Sequence, residues 1–260
     1  MSVDPAHRQR TSRVRLEWGP TGGAATCAGA DVAVVVDVLS FTTTLSIATR
    51  RGMRVHPFPW KDERAQAYAD AHDAVLAVGR AEARQLDDPP PSLSPAQLLT
   101  SRYVERLVLP SPNGSTICAA LRGSTPTVVG ASLRNRAAVA HWLAPRVAAG
   151  ATVAVVPSGE RWPDGTLRPA VEDLWGAGAV LDLLVGEVQG AAGVVSPEAE
   201  LAVTAYRAVA GRVGQPLYAC ASGQELVAAG FAADVAAAAE VDADGVVPVL
   251  TDDGFVAADD

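Results

Sequence analysis

The chain is predicted to be an α/β protein: a mostly parallel or mixed sheet covered by helices on both faces, then a C-terminal helical segment and a hairpin. Three observations predict it. Apolar β-branched runs such as Val32-Ala-Val-Val-Val36 read as buried strands. Over the first two-thirds of the chain these runs alternate with segments of helical period. The connections are short and rich in Gly, Pro and Ser, as repeated β–α units require.

Taken in order, residues 1–12 read as a flexible tail, because Met1-Ser-Val-Asp-Pro-Ala-His7 has no apolar stretch behind it and is no signal peptide. Strands are expected over 13–18, 31–37, 53–57, 74–78, 105–109, 126–130 and 151–156. Helices are expected over 42–51, opened by three threonines, and over 61–71, 95–101, 114–121, 133–147 and 170–186. Asp87-Asp88-Pro89-Pro90-Pro91-Ser92 is the least regular stretch, a loop or lid. From residue 196 the pattern is helical (197–210, 222–229, 231–239) and closes in a hairpin turning at Thr251-Asp-Asp-Gly254. With neither an internal repeat nor a long linker, residues 13–260 read as one unit.

Composition narrows the function. A net charge of −8 argues against nucleic acid, which needs a dense basic face. No apolar run reaches the ~18 residues that span a bilayer. Cys27, Cys118 and Cys220 are far apart and form no Cys-x-x-Cys pair, so reduced thiols and a cytoplasmic location are expected. Lys61 is the only lysine, which leaves grips on oxyanions to arginine.

The most informative segment is Asp37-Val-Leu-Ser40-Phe-Thr42-Thr43-Thr44, where a buried strand delivers a carboxylate to the sheet edge and hydroxyls open a helix. Ligands of open α/β sheets bind at that edge, and a helix N-terminus favours an anion. A carboxylate beside an anion cradle repels it unless a divalent cation lies between. The alternative is a plain capped turn. Asn113-Gly114-Ser115-Thr116 repeats the arrangement after the strand 105–109. Glu160, Glu172 and Asp173 follow the strand 151–156 and could converge with Asp37 on a hard cation such as Mg²⁺, or serve as helix-dipole partners. The four histidines lack zinc spacing, and neither a Walker lysine motif nor a Gly-x-Ser-x-Gly elbow occurs. Leu39 stands where an aspartyl-nucleophile phosphatase would repeat its Asp. Metal-assisted attack of water on a bound ester remains.

In this order the motifs resemble the 2-phosphosulfolactate phosphatases. The resemblance rests on Asp37-Val38-Leu39 with Thr42-Thr43, Asn113-Gly114-Ser115, Asn135 before an Ala-rich helix, Pro157-Ser158-Gly159-Glu160, and Glu172-Asp173 with Gly176-Ala177-Gly178. Ser222-Gly223 with Leu226, Gly230 and Asp234, then Val247-Pro248, complete it. It implies an Mg²⁺-dependent phosphatase acting on a small anionic phosphate ester, 2-phosphosulfolactate, with a homodimer as one possible assembly. Asp37, Glu160 and Asp173 would be catalytic, and with Glu172 would face the metal. Thr42, Thr43, Thr44, Asn113, Gly114, Ser115, Thr116 and Asn135 would hold substrate. Three positions depart from the family pattern: Ser40 replaces an Arg, Arg80 replaces a Glu, and Leu93 stands in a segment that has lost its Asn. Arg80 is expected to supply the guanidinium lost at position 40, making it a further substrate-binding residue. The alternative is a family member with impaired turnover that binds or senses small anions.

Overall fold

The computed structural model describes residues 3–59, 63–123, 127–188 and 194–258. The strands and helices are, in order, β1 (Val14–Leu16), α1 (Gly19–Cys27), β2 (Val32–Val36), α2 (Phe41–Arg50), β3 (Arg54–Phe58), α3 (Glu63–Ala71), β4 (Val75–Leu76), α4 (Arg80–Ala83), α5 (Pro95–Thr100) and β5 (Arg106–Pro110). Next come α6 (Gly114–Leu121), β6 (Thr127–Ala131), α7 (Arg136–Ala148), β7 (Val153–Pro157), β8 (Glu160–Arg161) and β9 (Leu167–Arg168). The chain ends with α8 (Val171–Glu187), α9 (Pro197–Arg207), α10 (Gly214–Ala219), α11 (Ala221–Ala228), α12 (Ala232–Ala238), β10 (Pro248–Thr251) and β11 (Gly254–Ala257).

The main sheet has nine strands in the order β1-β7-β2-β6-β10-β11-β3-β5-β4. It is two parallel leaflets, β1-β7-β2-β6 and β3-β5-β4, joined by the antiparallel hairpin β10–β11. The last strands of the chain therefore stitch its first two-thirds together. The sheet is bent, because α6 touches both β2 and β3 although β6, β10 and β11 lie between those strands. Alternation along β2 divides the core. Val32, Val34 and Val36 face the cluster built with α7, α8 and α9. Ala33 and Val35 face the inner cluster with Phe41, Leu45 and Ile117 of α2 and α6. Both faces are buried, which is why β2 reads as an unbroken apolar run.

Several elements differ from the sequence expectation. The stretch read as a tail carries a 3-10 turn at Pro5–Arg8, and Gln9 behind it pairs with Leu16 through both its amide nitrogen (2.8 Å) and its oxygen (3.2 Å). α1 was not expected, since Gly19-Pro-Thr-Gly-Gly has poor helix propensity. Its glycines serve packing: a Cβ on Gly23 would lie 3.0 Å from Val156. The hairpin β8–β9 and the short α4 and α10 were also missed, being too brief for any period to register. The start of the expected helix 61–71 and Pro126 lie outside the described residues. No helix among the described residues is long and apolar enough to cross a membrane.

Candidate active site

Asp37 emerges from the C-terminal end of β2, buried to 5% exposure. Its Oδ1 accepts from the Phe41 N–H at 3.1 Å and its Oδ2 from the Gly114 N–H at 2.9 Å. One carboxylate thus caps the first turns of both α2 and α6 and locks two distant loops together. Gly114 is required there: a Cβ would come within 2.3 Å of Phe41 Cδ1 and 2.8 Å of Asp37 Oδ2. Burial, with the charge of Glu172 adding to it, lifts the Asp37 carboxyl above its ordinary range, against the pull of its two N–H donors.

Asp173, in the first turn of α8, makes the companion bridge. Its oxygens accept from the N–H groups of Val38 (2.7 Å) and Gly159 (2.9 Å), tying the loop after β2 to the loop after β7. Gly159 has φ +66°, and a Cβ there would meet Leu167 at 2.7 Å, so the turn into β8 needs glycine. That turn presents Glu160, whose Oε2 accepts from Asn113 Nδ2 at 2.8 Å. Burial, and next the charge of Asp37, push the Glu160 carboxyl up to about 7.

These loops enclose a cavity of about 170 Å³. Asp37 and Glu160 are its carboxyls and Arg80 its guanidinium, with Ser40, Thr44, Ser111 and Asn113 as further polar lining. Leu39, Phe41, Leu93, Leu109, Pro110 and Pro112 make the rest apolar. The volume is below the ~300 Å³ at which cavities begin to hold drug-sized ligands. A small polar molecule fits it.

The expected residues separate into those the fold brings to this cavity and those it uses elsewhere. Asp37, Glu160, Arg80, Asn113 and Thr44 line it. The other hydroxyls hold the loops instead of facing outward: Thr42 Oγ1 donates to the Asp37 carbonyl (2.7 Å) and Thr43 Oγ1 to that of Val38 (2.8 Å). Ser115 Oγ donates to Leu109 O at 2.9 Å, and Thr116 Oγ1 to Ser111 O at 3.4 Å. Asn135 is not part of the lining; its amide braces Ser132, Gly130 and Val246 just past the end of β6, the strand beside β2. Glu172 and Asp173 are buried and absent from the lining, yet lie near enough that the charge of Glu172 bears on Asp37 and Glu160, and those of Asp37, Glu172 and Glu160 on Asp173. Among the described residues no three His, Cys, Asp or Glu side chains form a metal cage.

Ser40 and Leu93, two of the three departures, do line the cavity, and Arg80 Nη2 donates to Ser40 Oγ at 2.6 Å. Sequence reading missed Asp234 as a site residue. Its carboxylate accepts from Arg80 Nε at 2.6 Å. The available signals were its place among the residues that carry the resemblance and its isolation as the one acidic residue in an Ala-rich helix.

A family model described as 2-phosphosulpholactate phosphatase matches residues 24–253. A probable 2-phosphosulfolactate phosphatase of Prochlorococcus marinus is 30% identical over 239 residues, covering 88% of this chain and 92% of that protein. One of Deinococcus radiodurans is 30% identical over 224 residues, covering 85% and 88%. The matched span runs from within α1 to the turn of the closing hairpin and takes in every cavity-lining loop, so this chain belongs to the 2-phosphosulfolactate phosphatase family.

Proposed function

We propose that the protein is an Mg²⁺-dependent phosphatase that hydrolyses 2-phosphosulfolactate, or a related small phosphorylated hydroxy acid, to the hydroxy acid and phosphate. The observation that carries this reading is the polarity of one small cavity, whose lining holds two carboxyls and a guanidinium. Mg²⁺ needs only one or two carboxylates and keeps several waters. Asp37 and Glu160 fit that requirement, because both line the cavity and the charge of Asp37 favours positive charge at Glu160. When bound there, the ion would supply neutralisation of phosphoryl charge and acidification of water. The remaining work falls to the chain itself. Asn113 holds Glu160 by Oε2 at the cavity, where its carboxylate takes a proton from the attacking water. Arg80 grips the second anionic group of the substrate. The apolar walls limit competing water.

One observation favours a second reading, an anion-binding protein without turnover: both oxygens of Asp37 are already bonded to backbone N–H groups. Phosphate release from 2-phosphosulfolactate with and without Mg²⁺ separates the two. Release that needs Mg²⁺ supports the enzyme. Thermal stabilisation by sulfolactate without release supports the binder.

A further inference from the structure

Arg80 has no freedom to wander. Nε donates to Asp234 Oδ2 at 2.6 Å and Nη2 to Ser40 Oγ at 2.6 Å, while Nη1 donates to no described residue. The side chain is 22% exposed and borders the cavity. Asp234 is itself fixed: at 1% exposure, its Oδ1 accepts from Ser94 Oγ and from the Ala96 N–H at 3.3 Å. A guanidinium pinned at two corners presents its remaining N–H groups in one direction, and a fork aimed in advance loses little entropy on binding.

We infer that Asp234 is the positioning residue that makes this cavity select hydroxy acids bearing a second anionic group, a sulfonate or carboxylate, by aiming Arg80 at that group. The inference rests on the reading of Arg80 as an anion grip. Asp234 touches no substrate itself. It belongs to α12, remote in sequence from every other cavity element, so the C-terminal helices set the specificity of a pocket built by the N-terminal strands.

The test is calorimetric titration with sulfolactate and, separately, lactate in Mg²⁺ buffer, alongside phosphate release from 2-phosphosulfolactate. Wild type should prefer sulfolactate, and Arg80→Ala should lose about ten- to a hundredfold in sulfolactate affinity with lactate unchanged. Asp234→Asn should lose most of the same factor, and the double variant no more than Arg80→Ala alone. Arg80→Lys, which leaves α12 intact, should fall between and guards against a misfolded Asp234 variant. Arg84→Ala is the control: Arg84 stacks on Phe231 at 3.9 Å and bonds to Gly230 O, joining the same two elements outside the cavity. It should lower the melting temperature and keep the sulfolactate preference. Equal losses for both probes in Asp234→Asn, additive losses in the double variant, or a wild type without preference would each overturn the inference. Preference that depends on Arg80 and Asp234 without any phosphate release would uphold it and remove the enzymatic reading instead.

Discussion

Asp37 both braces two loops and lines the cavity between them. From the strand–hydroxyl pattern alone, Asp37→Asn should relieve charge repulsion and leave the metal-free protein as stable or more so. The two N–H donors reverse that expectation, since an Asn amide nitrogen cannot accept from Gly114 or Phe41. Leaving one buried donor unsatisfied costs about 1–3 kcal/mol. Asp37→Asn is expected to abolish Mg²⁺-dependent phosphate release and to lower the metal-free melting temperature, read by assay and by calorimetry. Glu160 makes a second prediction. Its carboxyl is raised from 4.5 to about 7 in the folded protein, so between those values the folded state holds more protons than the unfolded one and stability falls with rising pH. The Glu160 contribution is fully present below pH 4.5 and lost as pH passes about 7. Urea denaturation of the metal-free protein from pH 5 to 8 should show a decline that Glu160→Gln flattens.

At the scale of elements, α8 shows why a glycine pair stands beside a site it does not line. A Cβ on Gly176 would lie 2.6 Å from Val38 Cγ2 and 2.8 Å from Val36 Cγ1, inside the loop that carries Asp37. A Cβ on Gly178 would lie 2.0 Å from the Ala202 carbonyl of α9. Two residues on one helix thus guard two different interfaces. Overpacking at either costs about 1–3 kcal/mol, and its functional cost depends on what must move. Gly176→Ala should depress phosphatase activity out of proportion to its loss of stability, because the Asp37 loop is what yields. Gly178→Ala should lower the urea midpoint more and leave the specific activity of folded protein close to normal. Initial rates and urea curves on the same preparations check both.

For the whole molecule, the decisive element is the last one. β10 pairs with β6 at Val249 and Val129, and β11 pairs with β3 at Phe255 and Val55, so within the sheet the hairpin joins the two parallel leaflets. Phe255 is fully buried in the inner cluster, edge-on to Phe41 with ring centroids 6.5 Å apart. Emptying a site of that size costs about 3–5 kcal/mol before any lost strand pairing. A chain ending at Val247 would leave β6 and β3 as bare edges that invite aggregation. It is expected to be insoluble or molten, as gel filtration and near-ultraviolet circular dichroism would report.

Local composition determined most of the elements by itself. Val32–Val36 could only be a doubly buried strand, and Gly114 and Gly159 stood where the backbone must turn tightly, so Asp37, Asn113 and Glu160 were legible as neighbours of one sheet edge. Strand order was beyond its reach, because pairing β3 with β11 depends on residues some two hundred positions apart that carry no mutual signature. The same limit governs the site. A hydroxyl opening a helix looks alike whether its residue lines a cavity, as Thr44 does, or turns to its own loop's carbonyl, as Thr42 does. Nor could the sequence show that Asn135 and Asp173 bond to backbone groups of neighbouring loops. Which way a polar group points is decided by where backbone donors and acceptors fall after the sheet has bent around α2 and α6, and only the tertiary structure fixes that.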